Sequence, residues 1–155
     1  MFIGNAIGKD PKEIDVTVVG GHAGITILPL FSQVLEFSPS DKEQEALTVG
    51  TQFGGDEVLK AKAGAWLATL SMAYAGYLFT ENVLKAMEGE EVVQCAFVEL
   101  SLTDAEYFAS PCKFGPNKVE EVLGFGDISA YEQGWLDKML PDLKKQIAKG
   151  VEFAK

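Results

Sequence analysis

After Gly89 the hydrophobic period of this chain switches from helical to strand-like, and that switch constrains the fold more than any other feature. Upstream, Ser40-Asp41-Lys42-Glu43 has the form of a capping box, a hydroxyl at the N-cap and a glutamate three residues on. A long helix should follow, loosened around Gly54-Gly55 and resuming through Val58, Leu59 and Lys62, with a break at Gly64. Trp66, Leu70, Ala73, Tyr74, Tyr77 and Val83 then recur at helical spacing up to Met87, and Gly89 stops that helix. Downstream, residues 92–100 and 106–114 read as strands and 119–123 as a third, with Gly115-Pro116-Asn117-Lys118 as the turn between the last two. Ser129-Ala130-Tyr131-Glu132 is a second capping box, opening a final helix that Pro141 should kink or divide. Short reversals between strands point to an antiparallel sheet packed against long helices, an α+β fold.

The start of the chain is less regular. Residues 1–14 carry no capping signal and read as a helix remnant or a ragged start. Val16 to Val19 form a β-branched strand that ends in Gly20-Gly21-His22-Ala23-Gly24, and two apolar stretches, 25–30 and 31–35, continue as strand or extended chain around Pro29. No repeat or linker divides the 155 residues, so a single domain is expected over 1–155.

Charge excludes some functions. The net charge is −10, and all thirteen basic residues are lysines. Binding to nucleic acid or an anionic membrane needs clustered positive charge, which this balance does not offer. Without arginine the chain also lacks the rigid fork that grips a carboxylate bidentately. No run of about 18 apolar residues is long enough for a membrane span, and no signal-type segment opens the chain. Two cysteines, Cys95 and Cys112, make no disulfide framework, so an intracellular, reducing setting is the default.

His22 is the only histidine. A lone histidine is more often a surface or core residue than a catalyst, but small residues on both sides and a strand end before it suit a functional loop. The glycines around it lack the spacing of a dinucleotide cradle, and one histidine without nearby acidic or thiol partners cannot complete a metal shell, so no metal is expected. Thr69, Ser71 and Met72 lie in a stretch of small residues, Ala63 to Ala75, whose plain reading is close helix packing. Glu43, Glu45, Asp56 and Glu57 read as a solvated helix face, and Glu88, Glu90 and Glu91 as exposed residues at a helix stop.

The stretch from Val16 through Gly20-Gly21-His22-Ala23-Gly24 to Leu30 resembles the active-site strand and loop of malate dehydrogenases of the mitochondrial type, in the lactate/malate dehydrogenase family. A second block agrees, Gly55-Asp56-Glu57-Val58-Leu59-Lys60-Ala61-Lys62-Ala63-Gly64 followed by residues 68–76, as does the ending from Leu143. The resemblance implies the C-terminal, substrate-side domain of such an enzyme, with the Rossmann domain absent. It implies that His22 is the acid/base that takes the alcohol proton as hydride leaves malate for NAD, and that Met72 contacts the cofactor near the nicotinamide. The orienting aspartate, the substrate-gripping arginines and the NAD-binding domain would all lie upstream of Met1, in a missing N-terminal partner.

Two departures qualify the resemblance. Trp66 and Leu67 stand where the family has glycine and serine, and Gly50 and Leu78 where it commonly has arginine. Burying an indole adds about 150–250 Å² of aromatic surface, hard for a small dicarboxylate pocket to absorb. Three readings follow: half of an enzyme acting on malate and oxaloacetate, inactive alone; a non-catalytic interaction module; or a dehydrogenase half for a bulkier 2-hydroxy acid. Surface left bare by an absent domain, commonly about 600–1,500 Å², predicts a homodimer or another assembly that covers part of it. The resemblance tilts location toward a mitochondrion or another organelle, with the cytoplasm as the alternative.

Overall fold

A computed structural model describes residues 2–65 and 70–155. In chain order the elements are α1 (Phe2–Ile7), β1 (Val18–Gly20), β2 (Ile27–Pro29), α2 (Asp41–Ala61), α3 (Leu70–Met87), β3 (Val92–Glu99), β4 (Tyr107–Phe114), β5 (Val119–Val122) and α4 (Ala130–Phe153). The five strands form one antiparallel sheet in the order β2-β1-β4-β3, with β5 also on β4. The long pairing of β3 with β4, from Val92↔Phe114 to Glu99↔Tyr107, occupies one edge of β4. Its other edge is shared, by β1 through Gly20↔Ala109 and by β5 near Cys112 and Phe114. The α+β expectation of a sheet packed against long helices holds.

Alternation along β4 sets the layers. Phe108, Ser110, Cys112 and Phe114 are buried, while Tyr107, Ala109, Pro111 and Lys113 between them are only half-buried on the opposite face. The buried face is covered in two places. Leu136, Met139 and Leu143 of α4 close over Val19, Leu28, Leu30 and Phe108. Ala86 and Val83 of α3 close over Val92, Cys112 and Phe114. Each fully buried Leu or Phe contributes about 1.5–3 kcal/mol relative to exposure, so these contacts fix the helices on the sheet. A third cluster, Ile3, Phe31 and Val34, ties the start of the chain to the segment after β2.

Several expectations are corrected. α2 does not loosen at Gly54-Gly55 but runs unbroken to Ala61, where Ala63 at φ 49° and Gly64 at φ 82° end it. Both capping boxes form, at Ser40/Glu43 and Ser129/Glu132. α4 passes through Pro141 without dividing. Pro141 is exposed, and Leu136, Met139 and Leu143 hold both halves of the helix to one core. The stretch 31–35 is not extended; residues Phe31–Gln33 make a 3-10 turn, as do Gly24–Thr26 before β2. Pro29 is accommodated because β2 is an edge strand.

Candidate active site

The loop that presents His22 is shaped by what its neighbours lack. Gly20 has φ 98°, in the left-handed region, and a Cβ there would lie 2.2 Å from the Thr26 carbonyl oxygen and 2.6 Å from Met139 Cε. A Cβ on Gly21 would lie 2.5 Å from Thr26 Oγ1. The two glycines therefore let β1 turn tightly against the segment that returns as β2. Thr26 closes the turn. It is fully buried; its Oγ1 accepts from the Ala23 amide at 3.2 Å and donates to the Ala23 carbonyl at 2.8 Å, and its own carbonyl accepts from the Gly21 amide at 2.7 Å. His22 sits at the apex, exposed.

The loop is also held from α2. Gln52 is 4% exposed, and its Nε2 donates to the carbonyls of Ile27 at 3.2 Å and Ile25 at 3.4 Å. The ring of Phe53, the next residue, lies against Gly24. Neither Thr26 nor Gln52 was marked by the sequence. A buried threonine or a polar residue inside an amphipathic helix has no spacing signature until the loop it grips is in place.

His22 opens onto a cleft of about 750 Å³. One wall is the sheet, with Val18, Phe97, Tyr107 and Ala109; the other is the last turns of α4, with Leu143, Gln146, Ile147, Gly150 and Val151. Phe97 and Tyr107 stack with ring centroids 6.2 Å apart. Apart from His22, the Tyr107 hydroxyl and the Gln146 amide, the lining side chains are apolar. Among the described residues no side chain hydrogen-bonds the His22 imidazole, and no cluster of His, Cys, Asp or Glu could hold a metal ion. What the loop offers chemically is one proton donor/acceptor on a braced backbone, without a carboxylate to orient it and without a cation to hold an anion.

Met72 is not brought to this cleft. It lies in the first turn of α3, 57% exposed, in a helix that packs on β3 through its second half. The close packing read from the small-residue stretch is also not met among the described residues, since residues 70–80 are exposed except Gly76. Thr69, Trp66 and Leu67 lie outside the described residues. Gly50 and Leu78 lie on α2 and α3, with nothing within 4 Å of a Cβ built on Gly50. Both cysteines are free thiols, Cys112 buried and Cys95 half-buried, and burial pushes both above the usual thiol value. No helix of the described residues is long and apolar enough to cross a membrane.

Comparison with known proteins gives one answer. Residues 1–154 match the lactate/malate dehydrogenase, alpha/beta C-terminal domain. The chain is 53% identical over 146 residues to the mitochondrial malate dehydrogenase of Eucalyptus gunnii, covering 92% of this chain and 42% of that one. It is 50% identical over 155 residues to the malate dehydrogenase of Vibrio parahaemolyticus, covering 99% of this chain and 50% of that one. The fold superposes on the malate dehydrogenase from Salinibacter ruber with a TM-score of 0.78 at 19% identity, over 99% of this chain and 51% of that one. The chain thus spans about half the length of the relatives it matches.

Proposed function

Since this chain belongs to the lactate/malate dehydrogenase family through its α/β C-terminal domain, we propose that it is the substrate-side half of an NAD-dependent malate dehydrogenase that interconverts malate and oxaloacetate. The observation that carries this reading is His22: an exposed imidazole at the apex of a loop fixed by Gly20, Gly21 and Thr26, at the mouth of a cleft. In that role the imidazole takes the hydroxyl proton of malate during oxidation and returns it during reduction. Rigid presentation matters because proton transfer needs heavy atoms about 2.6–3.2 Å apart. NAD supplies the hydride acceptor.

The residues present do not fit a bound dinucleotide. The glycine loop leads into a three-residue 3-10 turn and a strand, not the helix whose N-terminus would cradle a pyrophosphate. Met72 is the one candidate contact, at the nicotinamide end. The cofactor domain, the orienting aspartate and the substrate arginines are assigned to an N-terminal partner, and the chain alone is inactive in this reading. The test is direct. Purified chain mixed with malate and NAD should form no NADH, whereas the same chain fused to a family cofactor domain should, and His22→Asn should abolish that turnover. Full turnover by the fused His22→Asn protein would sink the assignment of His22.

A second element supports an assembly. The first half of α3 projects with Leu70, Met72, Tyr74, Tyr77, Leu78 and Phe79 exposed, and no charged residue occurs from Ala63 to Thr80. A helix this apolar around its circumference is normally buried, which supports a homodimer through α3. The alternative of a non-catalytic module keeps the dimer and loses the chemistry, and the fused-enzyme assay separates the two. The third reading, a bulkier 2-hydroxy acid, rests on Trp66 and Leu67 and is tested by substrate profile in the same fusion. Relatives of mitochondrial and bacterial origin both match, so location stays with the intracellular, reducing setting that two unpaired thiols suit.

A further inference from the structure

We infer that Gln52 is a positioning residue for His22, clamping the catalytic loop to helix α2. Three observations carry this. The Gln52 side chain is buried and reaches out of its own helix to two backbone groups of the loop, the carbonyls of Ile25 and Ile27. These carbonyls flank Thr26, the residue whose hydroxyl closes the turn around Ala23. The orientation of the amide is fixed by chemistry, since only its NH2 end can face two carbonyl oxygens; the reverse would set oxygen against oxygen.

The cost of this arrangement is visible. Gln52 Oε1 is buried with no hydrogen-bond partner. An orphaned buried acceptor carries a desolvation penalty, and a plain core position would be filled more cheaply by an apolar residue of the same volume. Packing alone therefore does not account for a glutamine here. A clamp does: Thr26 sets the shape of the turn locally, Gln52 sets where that turn sits on the body of the domain, and Phe53 abuts Gly24 beside it.

The chain has a single histidine, so its imidazole gives one unambiguous set of nuclear magnetic resonance signals. Gln52→Met keeps length and helix preference but removes both donors. It should speed hydrogen exchange at the Gly21 and Ala23 amides about tenfold, leave the β3–β4 amides unchanged, and shift or broaden the His22 ring signals. Equal acceleration of loop and sheet amides would reduce Gln52 to a core residue, and unchanged loop exchange or an unmoved His22 signal would overturn the clamp. Should Gln52→Met not fold, the unmodified chain decides: the Gln52 side-chain NH2 protons should exchange slowly, and fast exchange would overturn the inference. The inference rests on His22 as the proton-transfer group, but none of these readouts needs turnover, so an inactive fused enzyme and a failed clamp are separate results.

Discussion

Glu132 and Ser32, a hundred residues apart in sequence, are joined twice: the Ser32 amide donates to Glu132 Oε1 at 2.9 Å, and the Ser32 hydroxyl donates to Oε2. The same carboxylate is the reciprocal member of the capping box at the start of α4, accepting from the Ser129 amide at 2.7 Å. Glu132 is fully buried, and among the described residues no basic side chain pairs with it. Burial pushes its pKa up, but the hydrogen bonds from Ser32 and Ser129 outweigh burial and hold it below the ordinary glutamate value of 4.5. A local helix cap has thus become a tertiary link between α4 and the segment after β2.

The sign of the pH dependence follows. A carboxylate with a depressed folded pKa contributes stability that is fully present above the unfolded value and lost as pH falls through the folded one. Glu132→Gln keeps the shape and the capping role but not the charge. It should cost about 1–3 kcal/mol near pH 7, the worth of hydrogen bonds to a charged group. The difference from wild type should shrink as pH drops below 4.5. Urea midpoints of both proteins across that range check this, and a pH-independent gap would contradict it.

At the His22 loop the hydroxyl of Thr26 is the quantity to remove. Thr26→Val keeps the volume and loses both bonds to Ala23, which should destabilise the chain by about 1–3 kcal/mol. Thr26→Ser keeps the hydroxyl and should recover most of it. In the fused enzyme, Thr26→Val should lower kcat more than it changes KM, since the loop rather than substrate binding is disturbed. A Thr26→Val protein with wild-type stability and turnover would show that the turn holds without its closure.

The thiols give a probe of the sheet. Cys112 is buried between β4 and α3, and its raised pKa leaves little thiolate at neutral pH. An alkylating reagent should leave Cys112 unmodified in the native protein and label it only after denaturation. Cys95, half-buried and paired with Pro111 on the face of the sheet opposite Cys112, should react slowly but measurably. Peptide mapping after timed alkylation distinguishes the two, and fast native labelling of Cys112 would mean that α3 does not cover β4 as described.

Much of this was legible in the sequence, for identifiable reasons. Capping boxes at Ser40 and Ser129 are local, so they announce helices without knowledge of the fold, and the switch to period two announces β3 and β4 in the same way. The His22 loop was marked by its glycines, whose need arises within six residues of chain. The grip of Gln52 on the loop and the second role of Glu132, on Ser32, were not, because those partners lie 25 and 100 residues away. The continuity of α4 through Pro141 was hidden for a related reason: a proline's penalty is local, while the core contacts that override it belong to the assembled domain. The first half of α3 marks the opposite limit, a stretch whose small residues read as packed and which is exposed in the fold.

Glycine substitutions should separate the two roles that glycine has here. Gly20→Ala places a Cβ 2.2 Å from the Thr26 carbonyl oxygen at φ 98°, and although the end of the Met139 side chain can swing aside, that backbone cannot yield without moving the loop. It should destabilise the chain by about 1–3 kcal/mol or more from strain alone, and in the fused enzyme it should displace His22 and reduce turnover. Gly55 lies in the interior of α2, exposed, with nothing within 4 Å of a Cβ. There the residue confers only unfolded-state freedom, so Gly55→Ala should stabilise by about 0.5–1 kcal/mol. Thermal midpoints of both variants, measured at one protein concentration, should therefore move in opposite directions. If Gly55→Ala instead destabilises in a concentration-dependent way, its surface is part of a contact between copies, and the proposed α3 interface extends onto α2.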